Sequence, residues 1–100
     1  MKLNNEFETI RQWANNKGIY KKGDIKTQYI KLQEECGELA KAIINKDDIE
    51  IIDAIGDCVV VLTSIAHFNN CKIEDCINTA YNAINKRKGK MINGTFVKNN

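Results

Sequence analysis

One hundred residues, 43% hydrophobic and 28% charged, describe a single globular domain over 1–100, able to build one modest core without a metal or disulfide to hold it. A net charge of +2 is too small to imply a nucleic-acid or membrane partner, and no apolar run approaches the ~18 residues of a membrane span. With no proline and only six glycines the chain has little turn chemistry for strands, so the expected class is all-α, a bundle of three to four helices.

The first helix is expected from near Asn5, with Glu8 three residues later in a capping-box pattern. Phe7, Ile10, Trp13 and Ala14 recur at helical spacing, and Gly18 closes the segment. The run "IYKKGD", residues 19–24, reads as a basic loop. A second helix is expected over 25–45, with Leu32, Cys36, Leu39 and Ile43 as its core stripe. A third follows over 48–68, capped by Asp47 with Glu50 as capping partner; Ile51, Ile55, Cys58, Leu62 and Ile65 form its stripe. After the short connection "NNCK", a fourth helix over 73–86 turns Ile73, Cys76, Ile77, Ala80 and Ile84 inward and packs antiparallel on the third. The tail from about residue 89 shows no helical period and is expected to be irregular.

The four cysteines fall among apolar neighbours or lack Cys-x-x-Cys spacing, which suits reduced thiols in a cytoplasmic protein. The N-terminal "MKLNNEFETI" is amphipathic rather than signal-like.

At ~100° per residue, Glu34, Glu35, Glu38 and Lys31 share one arc of the second helix, beside its apolar stripe. On the third helix Asp53 and Asp57 stand at i and i+4, opposite Ile55 and Leu62. Like charges at these spacings cost an isolated helix a few tenths of a kcal/mol per pair. A hard divalent cation offsets that cost, because Mg²⁺ takes oxygen ligands from a few carboxylates together with substrate phosphates. Such an ion can align a polyphosphate and activate a water. Solvated charge on two helix faces is the competing explanation. A di-iron site would need Glu-x-x-His, yet the single histidine, His67, has Ser64 three residues before it; zinc lacks a suitable His or Cys pair.

The stretch "QYIKLQEECGELAKAI" followed by "IIDAIGDCVVVL" resembles the MazG-like nucleoside triphosphate pyrophosphohydrolases. Their hallmark is Glu-Glu-x-x-Glu on one helix and a Glu-x-x-Asp motif on the next. The similarity extends to "RQWANNKGI" before and "NKRKGKMINGTFVK" after, and the closing segment looks like the short single-domain members, many of them phage-encoded. The resemblance implies an all-α enzyme, active in the cytoplasm, that uses Mg²⁺ (or Mn²⁺) to split a nucleoside triphosphate into monophosphate and pyrophosphate. It makes Glu35, Glu38 and Asp57 metal ligands, with Asp53 as a fourth, and Glu34 the residue that orients or deprotonates the attacking water. Ala54 stands where the motif expects an acid, and Asp53 lies one position earlier.

For the substrate, Lys31 is a candidate phosphate contact or an ion-pair partner of Glu35. Lys86, Arg87, Lys88, Lys90 and Lys98 are candidates for a cationic rim, Trp13 for stacking on a base, and Asn82 and Asn85 for reading a base edge. Three substantial helices and a shorter fourth give a thin core, which implies burial of helix faces against further copies, as a homodimer or homotetramer. Two alternatives stand beside this reading: a non-catalytic helical module that binds nucleic acid through the basic C-terminal segment, and a pyrophosphatase restricted to dUTP or dCTP.

Overall fold

The computed structural model describes the backbone of residues 3–100 and the side chains of residues 6–100. Five helices precede a small hairpin: α1 (Leu3–Asn16), α2 (Ile19–Lys22), α3 (Ile25–Ile44), α4 (Asp48–Phe68), α5 (Ile73–Ile84), β1 (Gly89–Ile92) and β2 (Thr95–Lys98). The mainly helical class expected from composition is what forms. Helix α1 starts two residues before the expected Asn5, whose capping side chain lies outside the described residues.

Caps set the boundaries of the two long helices. Asp24 accepts hydrogen bonds from the Thr27 amide at 2.8 Å and the Thr27 hydroxyl at 3.1 Å, which starts α3. Asp47 accepts from the Glu50 amide at 3.1 Å and starts α4, as its spacing predicts. Gly18, at φ 83°, reverses the chain after α1 in a conformation that costs a glycine little. The supposed basic loop at 19–24 is mostly a single helical turn, α2, whose two lysines lie beside its exposed C-terminal end. Gly23 is needed between α2 and α3, because a Cβ there would stand 2.5 Å from the Ile19 carbonyl oxygen.

Helices α3 and α4 make the most extensive interface, joined by a short turn in which Lys46 adopts φ 54°. Their contact is lined by small residues. Ala42 and Ala54 are buried across it, with Ala14, Val61, Thr63, Ser64 and Ala66 completing the core. The Thr63 hydroxyl donates to the Val59 carbonyl oxygen at 2.7 Å, so its burial leaves that donor paired.

This packing turns α3 and α4 away from their expected stripes. Cys36 and Ile43 of α3 are exposed, whereas Leu32 and Leu39 are half-buried and Ala42 is fully buried. On α4 Ile55 and Leu62 are exposed, Ile51, Cys58 and Ile65 of the expected stripe are half-buried, and Ala54, Val61 and Ser64 are the buried residues, with Asp57 half-buried beside them. Small side chains let the backbones approach, and the bulky aliphatics then fall outside the contact. Asp57 therefore sits within the packed face.

Helix α5 departs further from expectation. Ile73 and Glu74 are half-buried, but Cys76, Ile77, Ala80 and Ile84 are exposed. Its N-terminal turn is tied to α1 by a two-pronged ion pair: Arg11 donates to Glu74 at 2.6 and 2.8 Å, and also to Glu8 at 2.9 Å. The tail expected to be irregular is a hairpin. Asn93 and Gly94 adopt φ 50° and 83°, the two left-handed positions of a type I′ turn, and set the register Met91↔Phe96 and Ile92↔Thr95.

Candidate active site

The inward position of Asp57 creates the site. Three clefts, of about 340, 410 and 570 Å³, share Asp57 and Val60 as lining residues. The first lies among α1, α3 and α4 and also exposes Trp13, Gln28, Lys31, Glu34 and Glu35. The second adds Thr9 and Ile10 of α1, and the third adds Asp53 and Phe7.

Glu35 reaches this position from α3 with a side chain only 15% exposed. Asp57 faces it from α4. Removal from water raises the pKa of Asp57 above the ordinary carboxylate range, and the neighbouring charges of Asp53 and Glu35 push it further in the same direction. A carboxyl that two neighbouring acids make harder to ionise is the electrostatic signature of a position that favours a cation.

The remaining expected site residues separate into three groups. Lys31 lies 3.6 Å from Glu34 and 3.5 Å from Glu35, so it serves as their ion-pair partner while its ammonium borders the cleft. Glu34 borders the same cleft but is largely solvated. Trp13 is 47% exposed and lines the first two clefts, which presents its ring to whatever enters beside Asp57. Glu38 and Asp53 are exposed; Asp53 borders the third cleft and Glu38 borders none of the three. Asn82 on α5, Lys86 and Arg87 in the connection that follows, and Lys90 on β1 are exposed, and none of them lines these clefts.

Among the described residues no group of three or more His, Cys, Asp or Glu side chains forms a ready-made metal cage. Oxygen donors from Glu35 and Asp57, with Asp53 adjacent, nevertheless fit Mg²⁺. That ion dehydrates reluctantly and is held by one or two carboxylates plus phosphates and waters.

Sequence patterns did not identify several residues at or near the site. Ser64 and Gln28 line the first cleft, and Tyr20 stacks on His67 with ring centroids 3.6 Å apart. Only the i, i+3 spacing of Glu8 and Arg11 hinted at the ion-pair cluster that fixes α1, and its partner Glu74 is 63 residues away. Among the described residues no helix is long and apolar enough to cross a membrane.

Comparison with known proteins identifies the family. A 65-residue stretch is 40% identical to a protein of Haemophilus phage HP1 named "Uncharacterized 18.2 kDa protein in rep-hol intergenic region". That stretch covers 64% of this chain but only 39% of the phage protein. No solved structure matches. The family model for the MazG nucleotide pyrophosphohydrolase domain matches residues 24–92, a span holding both acidic helices and the first strand of the hairpin, and the chain belongs to that family.

Proposed function

We propose that the protein is a Mg²⁺-dependent hydrolase that converts a nucleoside triphosphate into a monophosphate and pyrophosphate. The observation that carries this reading is the meeting of Glu35 and Asp57 at the head of a cleft that also exposes Trp13. Family membership supplies the reaction class, and the cleft supplies an acidic end and an aromatic wall.

In this reading Glu35 and Asp57 hold the ion, with Asp53 and Glu38 completing its surroundings directly or through water. The ion, when bound, polarises the phosphoanhydride and lowers the pKa of a water. Glu34, solvated at the cleft rim, accepts a proton from the attacking water. Trp13 stacks on the base, and Lys31 exchanges part of its pairing with Glu34 and Glu35 for a phosphate. Mn²⁺ suits the same oxygen donors.

The exposed apolar side chains of α4 and α5 support a homo-oligomer. Ile52, Ile55, Ile77, Tyr81 and Ile84 are each about half exposed or more, between 49% and 73%. A nucleotide panel in Mg²⁺, read by pyrophosphate release and monophosphate formation, tests the reaction. Orthophosphate and diphosphate as products would refute the α–β cleavage.

A further inference from the structure

The connection from α4 to α5 holds one cysteine against another. Helix α4 closes in a Schellman arrangement: the Asn70 amide donates to the His67 carbonyl oxygen and the Cys71 amide to the Ala66 carbonyl oxygen, both at 3.0 Å, while Asn70 takes φ 58°. Cys71 thus ends one helix and directly precedes Lys72, the N-cap of α5. Counted from that cap, Cys71 is N′ and Cys76 is N4, the two positions whose side chains meet in a hydrophobic staple. Here the staple is made of two thiols. Their sulfurs lie 3.7 Å apart, and the Cys71 thiol donates to the Ala66 carbonyl oxygen at 3.4 Å. With its single proton committed there, Cys71 offers a lone pair, so Cys76 is the donor between the two sulfurs.

Neither thiol belongs to the acidic site. The two line a fourth cleft, of about 400 Å³, with Asp75, Thr79 and Ala80, and none of these residues borders the three clefts that share Asp57. Cys76 is exposed and Cys71 half-buried, so a small oxidant reaches the pair from solvent. The start of α5 also has something to gain from a bond there. Lys72 supplies no side-chain cap to the free amides of the first turn. Glu74, in that same turn, carries the ion pair to Arg11 of α1. A bond between the sulfurs would close the staple covalently beside that ion pair.

We propose that Cys71 and Cys76 are an oxidative modification site, at which a peroxide joins the two sulfurs in a disulfide that clamps the start of α5. One sulfur, as thiolate, attacks the O–O bond of hydrogen peroxide and becomes a sulfenic acid; the hydroxide released takes up the proton that the thiol gave and leaves as water. The other sulfur then attacks the sulfenic sulfur. The S–S bond forms, the S–O bond breaks, and the hydroxyl group departs as water with the remaining thiol proton. Two thiols and one peroxide thus give one disulfide and two waters, the sulfurs oxidised and the peroxide oxygens reduced. Because the backbone on both sides of Cys71 is already fixed, the second attack is local and outpaces further oxidation to the sulfinic acid. A thiol reductant reverses the bond by exchange. This site stands independently of the pyrophosphohydrolase reading.

Peptide mapping tests the bond directly. The reduced full chain is treated with a small molar excess of hydrogen peroxide, blocked with iodoacetamide and digested without reductant. Cleavage after Phe68 and Lys72 places Cys58, Cys71 and Cys76 on separate peptides. The Cys71 and Cys76 peptides should appear joined, two hydrogens lighter than their sum, from protein that still runs as a single chain, and dithiothreitol should separate them. Sulfinic or sulfonic acids without a link, a link to Cys36 or Cys58, or a link only between chains overturns the proposal. The clamp is read by thermal melts. Oxidised wild type should melt several degrees above its reduced form, because the bridge restricts the unfolded chain. Cys76→Ser, which changes an exposed side chain by one atom, should show no rise under the same peroxide. A bridged chain that melts no higher than the reduced one, or an equal rise in Cys76→Ser, overturns the clamp.

Discussion

Glu35 of α3 and Asp57 of α4 line one cleft between their helices, where removal from water and the charges of Asp53 and Glu35 make Asp57 harder to ionise. The consequence is a conflict between stability and function. A carboxyl whose pKa is raised on folding contributes stability that is complete below its unfolded value, ~3.9 for Asp, and is lost as the pH rises through the folded value. At neutral pH and without a divalent cation, ionised Asp57 therefore destabilises the fold. Asp57→Asn should raise the melting temperature of the metal-free protein at pH 7 by several degrees, about 1 kcal/mol, while abolishing turnover. The gain should shrink as the pH falls towards the ordinary carboxylate range, where Asp57 loses its charge more readily than a free aspartate. A lower melting temperature for the variant at pH 7 would show that the charge is not a burden.

Mg²⁺ should relieve the same conflict. A ligand at a hundred times its dissociation constant stabilises the folded state by about 2.7 kcal/mol. Calorimetric melts with and without MgCl₂ should show an upward shift for wild type and none for Asp57→Asn. Glu38→Gln removes a solvated carboxylate that borders none of the three clefts. It should weaken the Mg²⁺ shift without cancelling it, and equal loss in both variants would assign the two residues equal standing as ligands.

Arg11 and Glu74 pin α1 to α5, with side chains only 12% and 21% exposed. The Arg11 guanidinium holds the Glu74 carboxyl below its usual range. A depressed carboxyl pKa contributes stability that is present above the unfolded value, ~4.3 for Glu, and is lost as the pH falls through the folded value. Glu74→Gln should cost about 2 kcal/mol at pH 7, the scale of hydrogen bonds to a charged group. Thermal melts across pH should show the two proteins converging in acid. A constant difference would mean that the contact matters for its shape rather than its charge.

Cys71 and Cys76 place their sulfurs 3.7 Å apart at the start of α5. The hydrogen bond with Cys71, followed by partial removal from water, pushes the Cys76 thiol above its usual pKa. Since the thiolate is the reactive form, Cys71→Ala should speed alkylation of Cys76 by iodoacetamide at pH 8 several-fold. Peptide mass spectrometry over time reads the rate, and an unchanged rate would assign the shift to burial alone.

Local signals in the sequence were reliable where local physics decides. The span of α4 follows from Asp47 as cap and a continuous apolar run, and the two acidic clusters follow from helical spacing. The inward face of α4 did not follow, because Ala54, Val61 and Ser64 win by allowing close approach rather than by being the most apolar residues. Helix α5 misled for the opposite reason. Its amphipathic stripe is genuine, but within one copy Ile77, Tyr81 and Ile84 have no surface to cover. The Asn93-Gly94 pair was a legible hairpin signal, overlooked among the surrounding polar residues. Contacts such as Arg11 to Glu74, or Trp13 beside Asp57, depend on tertiary packing and leave almost no trace in spacing.

The central claim is that Glu35 and Asp57 organise α–β cleavage of a nucleoside triphosphate. Hydrolysis in Mg²⁺ and ¹⁸O-labelled water, with products resolved by mass spectrometry, tests it most directly for wild type and Asp57→Asn. Monophosphate and pyrophosphate should form with wild type, one of them carrying the label, and the rate should fall at least ~100-fold in the variant, the scale of losing a few kcal/mol at the transition state. Release of orthophosphate, or equal rates for the two proteins, would contradict it.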